Sequence, residues 1–256
     1  MQLYNASSSY YSMIARLALF EAGVQFDDHR LDIHFKKEQL APWYQNLNPK
    51  MTVPTLIDGN NIYTDSRDIL NFAQSHANNH WLDSDRSLEK TIQALQDEFY
   101  AIQIEKITFA KAMLSIPPLH YVFPRLLKKI IKQLELERAS APDKNAVAEK
   151  IKLNEARIAF FTQGSLRDKF ENELHSVTAF LTELPKPAPM ILGEPLSSID
   201  ILTATLLTRL TMIGEYGLLK DYAAINAWFQ NFKERPNFKK ADMWLRFQPM
   251  RILLRT

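Results

Sequence analysis

The 256-residue chain has no cysteine. That absence excludes disulfide frameworks, thiolate metal sites and a cysteine nucleophile. Glycine is scarce at six residues and the 13 prolines are ordinary, so collagen-like and flexible-linker architectures are excluded. Neither sign of charge prevails: 31 Lys plus Arg against 29 Asp plus Glu leave a net +2, and no overall field drives the chain onto nucleic acid. No apolar run has the roughly 18 residues a transmembrane helix needs. The opening residues, Met1 to Leu17, lack the charged start and long apolar stretch of a secretory leader, so a soluble, cytoplasmic protein is expected. None of His29, His34, His76, His80, His120 and His175 pairs at ligand spacing on one helix face, so no metal site is expected. Nucleotide-binding glycine loops and the GxSxG elbow are missing too.

What is present is a globular composition, 46% hydrophobic and 23% charged. A chain of this length can bury about 70–75% of its unfolded surface, enough to fold without staples. The first part alternates strand and helix signals and the rest reads as helical. Strands are expected at Gln2–Tyr4, Gln25–Ile33, Val53–Ile57 and Ile62–Thr64, with Asp58-Gly59-Asn60 as the turn between the last two. Helices are expected at Ser12–Ala22, closed by Gly23, at Leu40–Leu47 as a short helix or turn, and at 66–77. This β-α-β-α-β-β-α order describes an α/β domain over residues 1–80. The polar stretch from Asn78 to Asp85 is the boundary, and residues 86–256 form an all-α domain. Its helices are expected at 86–114, 124–139, 143–163, 166–184, 198–213 and 221–234, punctuated by prolines.

Three local patterns carry chemistry. Pro54 falls inside a strand pattern, which fits either an edge strand or a cis Val53–Pro54 bond that turns the Val53 backbone toward a peptide-like ligand. Ser66 can cap the following helix, whose free N–H groups favour an anion, while Asp65 can meet an ammonium group; an ordinary cap without ligand is the alternative. The polar loop Asn5 to Ser12 joins the first strand to the first helix.

The run Asn48-Pro49-Lys50-Met51-Thr52-Val53-Pro54-Thr55-Leu56-Ile57-Asp58-Gly59, followed by Ile62-Tyr63-Thr64-Asp65-Ser66, resembles the glutathione-binding segment of glutathione S-transferases. The resemblance implies a thioredoxin-like N-terminal domain followed by the all-helical C-terminal domain of that family. It also implies a cis Pro54, and a site in which Thr52, Val53, Pro54, Asp65 and Ser66 bind glutathione as co-substrate. The stretch Ser8-Ser9-Tyr10-Tyr11-Ser12 to Leu19 resembles the start of zeta-type transferases and their reductive-dehalogenase relatives. In that match Ser9 takes the place of the catalytic serine and Tyr11 that of the family's cysteine. No mixed disulfide with glutathione can then form on this chain, which argues against reductive dehalogenation and omega-type thiol transfer by a protein cysteine. The resemblance implies that the nucleophile is the sulfur of bound glutathione, stabilised as thiolate by a helix N-terminus and a hydroxyl. Ser9, Tyr10 and Tyr11 are the candidate donors; Tyr4, on a strand, reads as core.

The implied activity is conjugation to, or isomerisation of, a small electrophile held in an apolar pocket of the helical domain. The alternative is a non-catalytic transferase-fold binding or scaffold protein. The family resemblance also implies a homodimer. Ser197 and Asp200 form a capping box similar to the folding motif of the family's C-terminal domain, with Ile199 in place of alanine, so Asp200 is structural. Residues 116–145 resemble an insertion relative to short transferases. There Arg125, Lys128, Lys129 and Lys132 interleave with apolar residues, a pattern fitting a core-packed helix with a solvated face better than a membrane-surface helix. The basic tail from Trp244, with Arg246, Arg251 and Arg255, is expected over the substrate cleft or a dimer surface.

Overall fold

A computed structural model describes residues 1–77 and 80–254. Asn78 and Asn79, within the expected boundary stretch, and Arg255 lie outside the described residues. The N-terminal part is a mixed four-stranded sheet with flanking helices: β1 (Gln2–Asn5), α1 (Tyr10–Glu21), β2 (Asp27–Arg30), α2 (Pro42–Leu47), β3 (Thr55–Asp58), β4 (Asn61–Tyr63) and α3 (Ser66–His76). The strand order is β2-β1-β3-β4, with β1 parallel to β2 and antiparallel to β3, and β3 antiparallel to β4. Gly59, at φ 56°, makes the tight turn of the β3–β4 hairpin. This is a thioredoxin-like arrangement, and a helical region follows it.

The first helix organises the domain. Ser9 caps it, and Gly23, just past its end, takes the left-handed conformation (φ 71°) that a Cβ would disfavour. Its residues Met13 to Leu19 are all buried, Arg16 among them, so α1 is enclosed all round and packs on neighbours from both halves of the chain. One of those neighbours is α3; two others, α9 (Ser198–Met212) and α11 (Pro236–Lys240), lie in the helical region. One apolar cluster consequently runs from Leu3 and Leu56 of the sheet through α1 to Leu202, Leu206 and Phe229.

The remaining helices are α4 (Glu89–Ala101), α5 (Ile104–Ser115), α6 (Leu119–Glu137), α7 (Lys144–Thr162), α8 (Leu166–Glu183), α10 (Ala223–Phe232) and α12 (Pro249–Leu254). The single helix expected over 86–114 is two, broken where Ile102 turns extended (φ −63°, ψ 120°) so that both Ile102 and Ile104 reach the core. The helix expected to start at Pro124 starts at Leu119 instead. Pro118 stands at its cap, where a missing N–H costs nothing, and Pro124 is accommodated within it. The second strand is shorter than expected, four exposed residues at the sheet edge. The third begins at Thr55, so Pro54 precedes the strand rather than lying within it, and no ladder donor is lost.

Residues 116–145, the segment expected to be an insertion, fold as α6 and the turn into α7, which packs back on α6. Leu134 of α6 and Val147 of α7 form a small second core with Leu40 and Met51 of the N-terminal domain. Lys128, Lys129 and Lys132 are exposed on the far face. Among the described residues no helix is long and apolar enough to cross a membrane.

Candidate active site

The loop between β1 and α1 is held from below by two buried arginines. Arg16 of α1 is fully buried; its guanidinium donates to Asn5 Oδ1 (2.7 Å), Ala6 O (3.1 Å) and Ser7 O (3.2 Å), and to Ala241 O and Asp242 O. Arg209 of α9 donates to Ser8 O at 2.9 Å. Three successive carbonyls of the loop thus accept from arginine. Burial lowers the pKa of Arg16 to about 9 and that of Arg209 to about 10, which leaves both cationic near neutral pH.

Ser9 then lies where the loop becomes helix. Its Oγ accepts from Ser12 N–H at 3.3 Å, which leaves the hydroxyl proton free to donate elsewhere. Ser8 Oγ lies 2.7 Å from His34 Nε2, and Ser7 Oγ accepts from Arg30. The next two residues diverge. Tyr10 is 6% exposed, stacks on Phe99 with ring centroids 6.1 Å apart, and lies under the Arg209 guanidinium at 5.6 Å. Its phenol is pushed far above its ordinary pKa by burial first and by Tyr11 second. The structure therefore places Tyr10 in the core. Tyr11 is only partly buried and faces charges from four elements. Burial, Glu105 and Asp65 raise its pKa to about 12 against the opposing pull of Arg157 and Arg209. At neutral pH it is a proton donor and not a base. Tyr4 stacks on His29 and packs in a satellite cluster with Tyr44 and Val53.

The Val53–Pro54 bond is cis, the isomer implied by the sequence resemblance. The segment before it is tightly held. Fully buried Asn48 donates through Nδ2 to Thr52 O (2.9 Å) and Thr55 Oγ1 (3.0 Å), and Tyr44 OH donates to Thr52 O at 2.7 Å. Met51 adopts φ 53° and buries its side chain in the small second core. From α7, Lys150 Nζ donates to Lys50 O (3.2 Å) and Met51 O (3.0 Å), and burial lowers its pKa to about 8. Lys50 in turn lies 3.6 Å from Asp65.

At the start of α3 one sequence assignment changes. Asp65, not Ser66, is the N-cap: Asp65 Oδ1 accepts from Arg67 N–H at 3.0 Å, and its extended backbone (φ −133°, ψ 145°) precedes the first helical residue, Ser66. Ser66 is buried and its Oγ donates to Tyr100 OH at 3.4 Å, a long contact. Arg67 covers the Tyr100 ring at 4.9 Å and pairs with Asp97, tying α3 to α4.

Two cavities adjoin this centre. One lies between α5 and α7; Phe109, Leu153, Ala156 and Phe160 give it apolar walls, and the Glu105–Arg157 ion pair that faces Tyr11 is also part of its lining. The other is bounded by Ser7, Ser8, His34 and Lys36 and closed by Trp244 and Arg251 of the C-terminal tail. Arg251 is anchored by two hydrogen bonds to Asp242 and lies over the Trp244 ring. The tail thus covers the outer side of the β1–α1 loop. Among the described residues no three His, Asp or Glu side chains gather to hold a metal ion.

Sequence reasoning assigned no role to Tyr44, Asn48, Lys150, Arg157 or Arg209. The usable signal was Arg209, a cation in the otherwise apolar and hydroxyl-bearing run from Ile201 to Met212.

The thioredoxin-like sheet with its helical continuation defines the general class. The profile of the glutathione S-transferase N-terminal domain matches residues 8–76. Tetrachloro-p-hydroquinone reductive dehalogenase of Sphingobium chlorophenolicum is 25% identical over 249 residues, 94% of this chain and 95% of that protein. The β-etherase LigF from Sphingobium sp. strain SYK-6 superposes with a TM-score of 0.67 at 16% identity, covering 94% of this chain and 97% of the other. A glutathione transferase from Populus trichocarpa superposes with a TM-score of 0.62 at 16% identity, covering 96% and 99%. The N-terminal segment thus matches the glutathione S-transferase N-terminal domain, and the chain as a whole is similar in sequence and fold to proteins of that superfamily.

Proposed function

We propose that the protein is a glutathione transferase-type enzyme that activates the thiol of bound glutathione for attack on, or isomerisation of, a small electrophile. The observation that carries this reading is Ser9, whose oxygen is occupied by the helix cap while its proton remains available, at an N-terminus where free N–H groups favour a thiolate. The surrounding chemistry fits a γ-glutamyl tripeptide. Asp65 offers a half-exposed carboxylate to the α-ammonium group, the first N–H groups of α3 suit the α-carboxylate, and the Thr52–Pro54 backbone suits pairing with the cysteinyl unit. The α5–α7 cavity beside Tyr11 is the proposed electrophile pocket. We assign residues 1–80 to glutathione binding and 86–256 to the helical domain, in a cytoplasmic homodimer.

Ser9 in this scheme donates to the sulfur and lowers its pKa, Tyr11 remains a neutral phenol able to donate to the electrophile or its leaving group, and Tyr10 packs beneath them. Calorimetry with glutathione, paired with turnover of an electrophile panel, tests the reading. Micromolar-to-millimolar binding, weakened by Asp65→Ala, together with conjugation or isomerisation supports it. Binding without any turnover favours a non-catalytic role, and no binding refutes the site.

A further inference from the structure

Arg209 is an unusual residue to find where it is. It is 6% exposed, its Nε has no hydrogen-bond partner, and among the described residues no carboxylate lies within ion-pairing distance of it. Among the described residues its only hydrogen bond is the one to the carbonyl of Ser8, the residue before Ser9. A buried cation without a counter-charge is costly to desolvate, and hydrophobic replacement of such a group is often tolerated or stabilising. Arg16, the other arginine under this loop, differs: all of its nitrogens are engaged by oxygen acceptors. Arg209 retains an unfilled demand for negative charge on the side of the Ser9–Tyr11 turn.

We propose that Arg209 is a positioning residue of the active site: its fixed positive charge stabilises the thiolate bound at Ser9, and its bond to Ser8 sets the loop that presents the Ser9 hydroxyl. The proposal rests on the glutathione reading given above. It completes the local charge balance. Tyr10, Tyr11 and Arg16 from α1, Tyr100 from α4, Glu105 from α5, Arg157 from α7, Asp65 at the cap of α3, and Arg30 and His34 against Ser7 and Ser8 are titratable and charged groups around this turn. Arg157 is neutralised by its ion pair with Glu105, and Asp65 disfavours an anion, although Lys50 partly offsets it. A thiolate formed beside Ser9 therefore draws on Arg209 as a buried cation that makes no ion pair among the described residues, in surroundings where burial weakens solvent screening.

The test is titration of the thiolate absorbance of glutathione bound to the full-length protein, in wild type, Arg209→Met and Arg209→Lys. Arg209→Met is expected to raise the pKa of the bound thiol by about one unit, a tenfold loss of thiolate near neutral pH. The kcat/KM for an electrophile should fall about tenfold at pH 6.5 and approach wild type near pH 9, a pH profile that a merely structural defect would not produce. Affinity for S-methylglutathione, which has no thiol to ionise, should stay within about twofold. Arg209→Lys, which keeps the charge, should titrate close to wild type. Arg209→Gln, neutral but able to keep the Ser8 bond, carries the same test if the apolar variant does not fold. An unmoved thiol titration in the neutral variants overturns the proposal, as does a lysine variant displaced as far as methionine. Failure of the wild type to bind glutathione refutes the functional reading itself. Normal binding and a lowered thiol pKa in wild type, unchanged by Arg209→Met, refutes only the role of Arg209.

Discussion

Ser9→Ala removes one oxygen that serves two purposes, and the two losses have separate sizes and readouts. As N-cap, Ser9 accepts from Ser12 N–H at 3.3 Å, a long bond. Serine-to-alanine at such a cap costs about 0.5–2 kcal/mol, and the long distance argues for the lower half of that range. As donor to a thiolate, the same hydroxyl contributes a hydrogen bond to a charged acceptor, about 1.5–3 kcal/mol. At about 1.36 kcal/mol per pKa unit, its loss raises the pKa of the bound thiol by about 1–2 units. The expected result is a modest fall in thermal stability, near-normal affinity for glutathione, and a thiolate absorbance titration moved upward by that amount. Turnover at neutral pH should fall about 10- to 100-fold and recover as pH passes the new pKa. Tyr11→Phe is the control, since its phenol shares the cleft and, at a pKa of about 12, stays protonated throughout. A stability loss with an unmoved titration would show that Ser9 only caps the helix; a shift in Tyr11→Phe alone would move the donor's role to Tyr11.

Asp200→Ala removes a buried carboxylate that accepts from Ser197 N–H, Ser197 Oγ–H and Ile191 N–H. Leaving those donors unpaired should destabilise the protein by about 3 kcal/mol or more in chemical denaturation, with no change in the bound thiol's pKa in the folded fraction. Lys150→Met should weaken glutathione binding several-fold by loosening the Lys50–Met51 carbonyls. Because burial lowers the Lys150 pKa to about 8, the wild type should gain stability from about pH 8 to 10.4, where the unfolded chain still holds a proton the folded one has released. The methionine variant should lose that slope in urea titrations. Burial alone would raise the Asp242 pKa, but Arg251, Arg16 and Arg30 outweigh it and hold the carboxyl below its ordinary range. Its contribution is therefore present above about pH 3.9 and lost as pH falls through the lowered value. Asp242→Asn at neutral pH should release the tail, read as faster proteolysis after Arg251 and an unchanged rate within the sheet domain.

The sheet domain was legible because its signals are local and agree with one another. Short strand signals, Gly59 at a hairpin, Gly23 at a helix end and the Asn48–Ser66 run each mark one backbone feature, and the observed element order matches. The capping box at Ser197 was equally legible because both partners lie within one turn. The break between α4 and α5 was not, since no proline or glycine marks Ile102; tertiary burial of two neighbouring isoleucines decides it. The exchange of roles between Asp65 and Ser66 was hidden for a different reason. Both are good caps, and only the backbone angles say which one stands outside the helix.

The candidate site was half visible for a physical reason that Arg16 and Arg209 make plain. Residues that touch a ligand must lie on loops and helix ends, where residue type betrays them. Residues that hold those loops come from anywhere in the chain: Lys150 acts 99 positions away from Met51, and Arg209 acts 201 positions away from Ser8. In a loop whose Ala6, Ser7 and Ser8 carbonyls all need donors, neutral side chains would satisfy hydrogen bonding equally well. Two guanidinium groups do more, because each also places a buried positive charge beneath the turn where a sulfur anion would form. A chain without cysteine cannot supply that sulfur itself, so its chemistry depends on lowering the pKa of a borrowed one. A hydroxyl from Ser9 above and fixed charge from below are complementary means to that end.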